Sequence, residues 1–170
     1  MMVVMAGRWS VAAARMAAAD PAGLLYGAIV SASVLATASA HSDQFSFVAL
    51  AAVVALGVYW LAHVYIAAQS RQFGGDTGTM RHRIAVAAGH ESSVLKGGAP
   101  AIVVYLVGTL AGLDSERAAA LAVYFSVALL MGVGWLAAHR AGKTGAAALV
   151  DAAVGGLFGL VVVVAKVLLH

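Results

Sequence analysis

Apolar residues gather into five long stretches: Ala22 to Ala40, Phe45 to Ala68, Gly97 to Leu113, Glu116 to Ala138 and Gly145 to Leu169. A helix needs roughly 20 apolar residues to cross a hydrocarbon core about 30 Å thick, and all five stretches come close to that length. Inside a bilayer every backbone N–H and C=O must be paired within its segment or by protein neighbours, so the stretches are expected to be α-helices. The pattern predicts an all-α, polytopic membrane protein, a single membrane domain over residues 1–170 with five spans. Span three opens on Gly97-Gly98 with Pro100 in its first turn, where a missing N–H costs little. It is the weakest of the five, and a four-span alternative makes one candidate interfacial. Asp114-Ser-Glu116 stands before span four as an N-terminal cap does, its carboxylates at the positive end of the helix dipole.

Polar positions set the threading. Arg8 and Arg15 precede span one, Arg71, Arg81, Arg83 and Lys96 separate spans two and three, and Arg140 and Lys143 separate spans four and five, which accounts for eight of the ten basic residues. The alternate gaps, His41 to Gln44 and Asp114 to Arg117, are short and net acidic. The positive-inside rule then puts the N-terminus in the cytosol and the C-terminus outside, with Lys166 snorkelling to the outer headgroups. Residues 1–20 read as a segment lying along the inner leaflet, broken from span one at Asp20-Pro21. The competing reading is a signal peptide cleaved after Ala38-Ser39-Ala40, but its apolar run exceeds the usual 7 to 15 residues.

Composition agrees. The chain is 63% hydrophobic and 10% charged, against about 25% charged for a soluble domain. Its net charge of +3 flanks apolar spans, where it orients the chain and meets lipid headgroups; nucleic acid is not an expected partner. The expected partners are the lipid bilayer and either a second copy of the chain or another membrane protein. With no cysteine, disulfides, Fe–S clusters and thiol nucleophiles are out of reach, and no cofactor or metal is implied.

Two ionisable residues fall inside spans, His63 and Asp151, and each costs about 2.5–3.5 kcal/mol even on a lenient insertion scale. His63 precedes Gln69 by six positions and Asp151 follows Gly145 by six, so at 1.5 Å per residue both lie roughly 9 Å from the cytosolic boundary. A shared depth permits a His–Asp pair. The alternatives are a His63 that bonds a backbone carbonyl and an Asp151 that reaches back to cytosolic water. Tyr59 lies one turn from His63. On span one, Tyr26, Ser33, Thr37 and His41 form one helical stripe, either lining a polar path or satisfying their own backbone carbonyls as belt and helix-lining residues do. The GxxxG spacings Gly108/Gly112 and Gly155/Gly159 bare the backbone for close helix approach, within the chain or against a partner.

Other signals lead nowhere catalytic. His90-Glu91-Ser92-Ser93-Val94 starts like a zinc-protease motif but ends on valine, so no two-histidine face forms. His82, His90 and Glu91 could gather a metal, although a headgroup-facing cytosolic helix explains them as well. Gly142-Lys143-Thr144 echoes a phosphate loop without its preceding strand. Ser126 and Tyr124 have no base beside them, so an enzyme is not expected.

Five spans with a helical cytosolic connection after the second, together with Gly134-Trp135-Leu136-Ala137-Ala138, Gly142 and Gly155-Gly156-Leu157, distantly resemble the vacuolar iron transporter family. Tyr26-Gly27 sits where that family usually has Asp-Gly. Span two holds no glutamate, and Gln69 to Lys96 offers only Asp76 and Glu91. Iron and manganese need hard ligands, so the resemblance implies an architecture and leaves the family's metal-binding carboxylates missing. The chain also resembles small uncharacterised integral membrane proteins of actinobacteria. The leading functional expectation is a small transporter or proton-linked carrier whose path uses His63, Asp151, Tyr59 and the Tyr26 stripe; the alternative is a non-transporting subunit or assembly scaffold packing through small-residue faces.

Overall fold

The computed structural model describes residues 21–168, folded into six α-helices: α1 (Pro21–His41), α2 (Phe45–Phe73), α3 (Met80–His90), α4 (Ser92–Leu110), α5 (Ser115–Arg140) and α6 (Ala146–Leu168). The inner-leaflet segment expected over residues 1–20, with Arg8 and Arg15, lies outside the described residues, as do Leu169 and the side chain of Lys166. Four helices, α1, α2, α4 and α5, are long and apolar enough to cross a bilayer, which marks the chain as a membrane protein. Their ends follow from local chemistry. Asp114 accepts from the Arg117 N–H at 2.8 Å, capping α5 as its position implies. Gly75, Gly112, Gly142 and Gly145 take positive φ at or near the ends of α2, α4 and α5 and before α6, conformations that β-carbons disfavour.

Span three is the element whose limits move. Its helix begins at Ser92, not Gly97, so Pro100 sits in the helix interior instead of the first turn. Pro100 withholds the N–H that would bond back to the Lys96 carbonyl, a loss that neighbouring helices make tolerable in membrane helices. α3 leads directly into it through one residue, Glu91, whose N–H still bonds the Ala87 carbonyl at 2.8 Å. α3 doubles back along the end of α2 through Val64, Ala68 and Ala87. The turn between them is held by Arg83, only 8% exposed. Its Nη2 donates to Gln72 Oε1 at 3.0 Å and its Nη1 to the Asp76 carbonyl at 3.3 Å and the Gly78 carbonyl. Asp76 in turn accepts from the Gly78 N–H at 2.8 Å. One cation thus ties the end of α2 to two stations of a glycine-rich turn, a role its place in a basic segment does not reveal.

Water drives little helix association within lipid, so packing depends on close approach and interhelical bonds. The closest approach is between α1 and α4. A β-carbon on Gly27 would overlap the Val94 carbonyl oxygen, and one on Gly97 would overlap the Leu24 carbonyl oxygen. Backbone lies on backbone there. Farther along, Leu35, Val48, Ala52, Val94, Tyr105, Ala118, Ala119 and Ala122 form the main core, with Tyr105 fully buried. The Tyr105 hydroxyl lies 2.9 Å from Ser115 Oγ and donates to the Phe45 carbonyl at 3.4 Å, joining α4 to the starts of α2 and α5. α5 and α6 form an antiparallel hairpin, and α6 also leans on α1.

Candidate functional site

Tyr26 of α1 and Tyr59 and His63 of α2 converge on one face of the α1–α2 hairpin. One turn apart on the same helix, Tyr59 and His63 place their rings 4.5 Å apart, centroid to centroid. Tyr26 reaches them from α1, with centroids 6.3 Å from Tyr59 and 5.8 Å from His63. Tyr26 is 49% exposed while the other two are half-buried, so the cluster is open on one side. His63 Nδ1 lies 3.2 Å from the Tyr59 carbonyl oxygen. A carbonyl can only accept, so Nδ1 carries the proton and Nε2 of the neutral ring is the acceptor.

The rest of the stripe does not extend this cluster. Thr37 Oγ1 donates to the Ser33 carbonyl at 2.8 Å, and His41 Nδ1 meets the Thr37 carbonyl at 2.9 Å. Ser33 is half-buried, Thr37 and His41 exposed. Thr37 and His41 therefore spend their polar atoms on α1 itself, a pattern common for hydroxyls in membrane helices.

Asp151 has a different partner from the one its depth suggests. Lys143 Nζ, from the turn before α6, donates to Asp151 Oδ2 at 2.8 Å, with the two side chains 48% and 34% exposed. No His63–Asp151 pair forms: α6 packs on α5 and α1, with no substantial interface to α2. Equal depth fixes a level in the bilayer but not a direction around the bundle, and a lysine eight residues away reaches the carboxylate first.

The small-residue faces divide in the same way. A β-carbon on Gly155 would come within 2.6 Å of the Leu130 carbonyl oxygen, and one on Gly159 within 2.6 Å of Val127 Cγ2, so this GxxxG face is used inside the chain against α5. Gly134 makes the reciprocal approach, 2.6 Å from the Asp151 carbonyl oxygen. Gly108 faces Ala118 Cβ at 3.2 Å, packing α4 on α5. Gly112 does no packing; its φ of +91° and empty surroundings make it a turn glycine, a correction to the GxxxG reading of span three. That reading passed over Gly27 and Gly97, because each meets a carbonyl of the opposite helix, Val94 and Leu24 in turn, and the pair leaves no spacing within either helix.

Outside the aromatic cluster, α2 and α4 leave between them an apolar groove of about 460 Å³ lined by Val53, Leu56, Gly57, Trp60, Leu95, Ala99, Ile102 and Val103. Trp60 Nε1 is buried without an acceptor. Among the described residues no three His, Asp or Glu side chains gather closely enough to hold a metal ion, the His82, His90 and Glu91 set included. No family model, curated protein or solved structure matches the chain.

Proposed function

We propose that this chain is a five-span protein of the cell membrane, N-terminus in the cytosol, that serves as a non-transporting subunit or assembly factor and presents the Tyr26–Tyr59–His63 face to a span of a partner membrane protein. The observation that carries this reading is the fate of the polar groups. Thr37 and His41 bond only within α1, Asp151 closes onto Lys143, and of the candidate groups the Tyr26–Tyr59–His63 cluster is the one that gathers rings from two helices, with an exposed edge at Tyr26. Tyrosines and a histidine of this kind offer rigid, amphipathic contact area at modest entropic cost. The fifth span is α6, whose Ala146–Val161 portion is apolar and whose hairpin with α5 returns it across the bilayer. Its GxxxG face is occupied by α5, which leaves the α1–α2 face for a partner.

A second reading, a proton-linked carrier, is favoured by one feature: His63 Nε2, a proton acceptor at the open edge of a span. One pair of measurements separates the two. In mild detergent a stoichiometric complex is expected that Tyr26→Ala and His63→Ala weaken, while purified chain in liposomes moves no protons down an imposed gradient. Proton flux that His63→Ala abolishes would establish the carrier and end the subunit reading.

A further inference from the structure

We propose that the α2–α4 groove is a binding site for one anionic phospholipid of the cytosolic leaflet. The proposal needs only the membrane setting and the threading, not the subunit reading.

The groove's volume of about 460 Å³ lies within the roughly 300–1,000 Å³ of small-ligand clefts. Small residues on both walls create it, Gly57 from α2 and Ala99 from α4, and a β-carbon on Gly57 would meet nothing within 4 Å. The furrow lies between two packed helices and its lining is apolar, the chemistry an acyl chain matches.

Register fixes which end is polar. A β-carbon on Gly98 would fall 2.6 Å from Leu56 Cδ1, so Leu56 and Gly98 share a level. α2 and α4 run in opposite senses, hence one turn further along α2, at Trp60, the facing residues of α4 are Val94 to Lys96. From there Gly57, Leu56 and Val53 on one wall and Ala99, Ile102 and Val103 on the other carry the groove toward the opposite leaflet. Lys96 stands three residues before Ala99 and seven before Val103, on the same stripe. It is exposed, and among the described residues its Nζ donates only to a neutral hydroxyl, Ser92 Oγ at 3.1 Å. Its charge is therefore left for a headgroup phosphate. Trp60 closes that end, and because Leu24, three residues into α1, lies against Gly97, the register puts this level near the start of α1 and moves the cytosolic boundary on α2 inward from Gln69. An apolar furrow with a cation at its cytosolic mouth has the two-part chemistry of an anionic phospholipid.

The test is native mass spectrometry of the full chain, delipidated and titrated in detergent with phosphatidylglycerol or phosphatidylcholine. Wild type is expected to bind one phosphatidylglycerol more tightly than phosphatidylcholine. Gly57→Leu fills open space and should weaken both lipids by about tenfold or more, because it takes the place of the packing contacts the acyl chain would make. Lys96→Gln should keep the tail site and reduce the preference for phosphatidylglycerol by about fivefold, the share of one cation near an anionic surface. Thermal unfolding of both variants at wild-type temperature shows that they fold. Unchanged binding by Gly57→Leu, or no headgroup preference in wild type, overturns the site. So does a change in oligomeric state on Gly57→Leu with lipid binding intact, which would assign the groove to a second copy.

Discussion

α1 touches two neighbours in opposite ways. Against α4 it presents Gly27, and Gly97 answers, so that backbone meets carbonyl oxygen with no side chain between. Against α2, near the same level, it presents Tyr26 to Tyr59 and His63, and rings rather than backbones make the contact. The first interface cannot change without moving a helix. The second has an exposed edge and rotatable side chains. The bundle is thus close-packed where α1 meets α4 through bare backbone and open-edged where α1 meets α2 through aromatic rings.

The largest effect should come from breaking the close-packed side. Gly27→Leu or Gly97→Leu drives a side chain into a carbonyl oxygen, and overpacking of this sort costs about 3 kcal/mol or more. Loss of monodisperse protein on size-exclusion chromatography in detergent is expected, whereas Gly57→Leu, facing open space, should elute as wild type. A wild-type profile for Gly27→Leu would mean that the helices stand apart. Next comes Tyr105→Phe, which removes the hydroxyl shared by Ser115 and the Phe45 carbonyl. Such buried bonds contribute about 1–2 kcal/mol, readable as a lower midpoint in thermal unfolding. Lys143→Met leaves Asp151 without its cation at a half-exposed site; about 1 kcal/mol or less is expected, and Asp151→Asn in the same background should restore part of it. A double-mutant cycle with no coupling would dissolve that pair. The open-edged side should barely register in stability. Tyr26→Ala and His63→Ala remove partly exposed rings and should cost under about 1 kcal/mol, with their effect seen in complex formation.

Much of this architecture is written in the hydropathy. Helices α1, α2 and α5 fall within a few residues of their apolar stretches, because a span must be continuous and its ends are marked by Gln44, by Asp114 and by basic residues. The start of α4 was hidden because Ser92 to Lys96 is polar yet helical, and Gly97-Gly98-Pro100 looks like a beginning when it is the place where α1 crosses. The site was half legible. Tyr59 and His63 are joined by spacing alone, but the arrival of Tyr26 and the capture of Asp151 by Lys143 depend on how helices are arranged around the bundle, and depth along a span carries no such angle. Arg83 escaped for a related reason: a buried guanidinium and a headgroup-facing one have the same sequence signature.

The central claim is that α1 and α4 meet through bare backbone while α1 and α2 leave an open aromatic face. Cysteine pairs in native membranes measure both at once. Ser31→Cys with Gly98→Cys, where a β-carbon on Gly98 would lie 2.5 Å from Ser31 Oγ, should form a disulfide rapidly under mild oxidant without altering the oligomeric state, and Tyr26→Cys in the same membranes should react with a maleimide. A Ser31–Gly98 pair that fails to close while Tyr26→Cys resists labelling would contradict the account on both sides of α1.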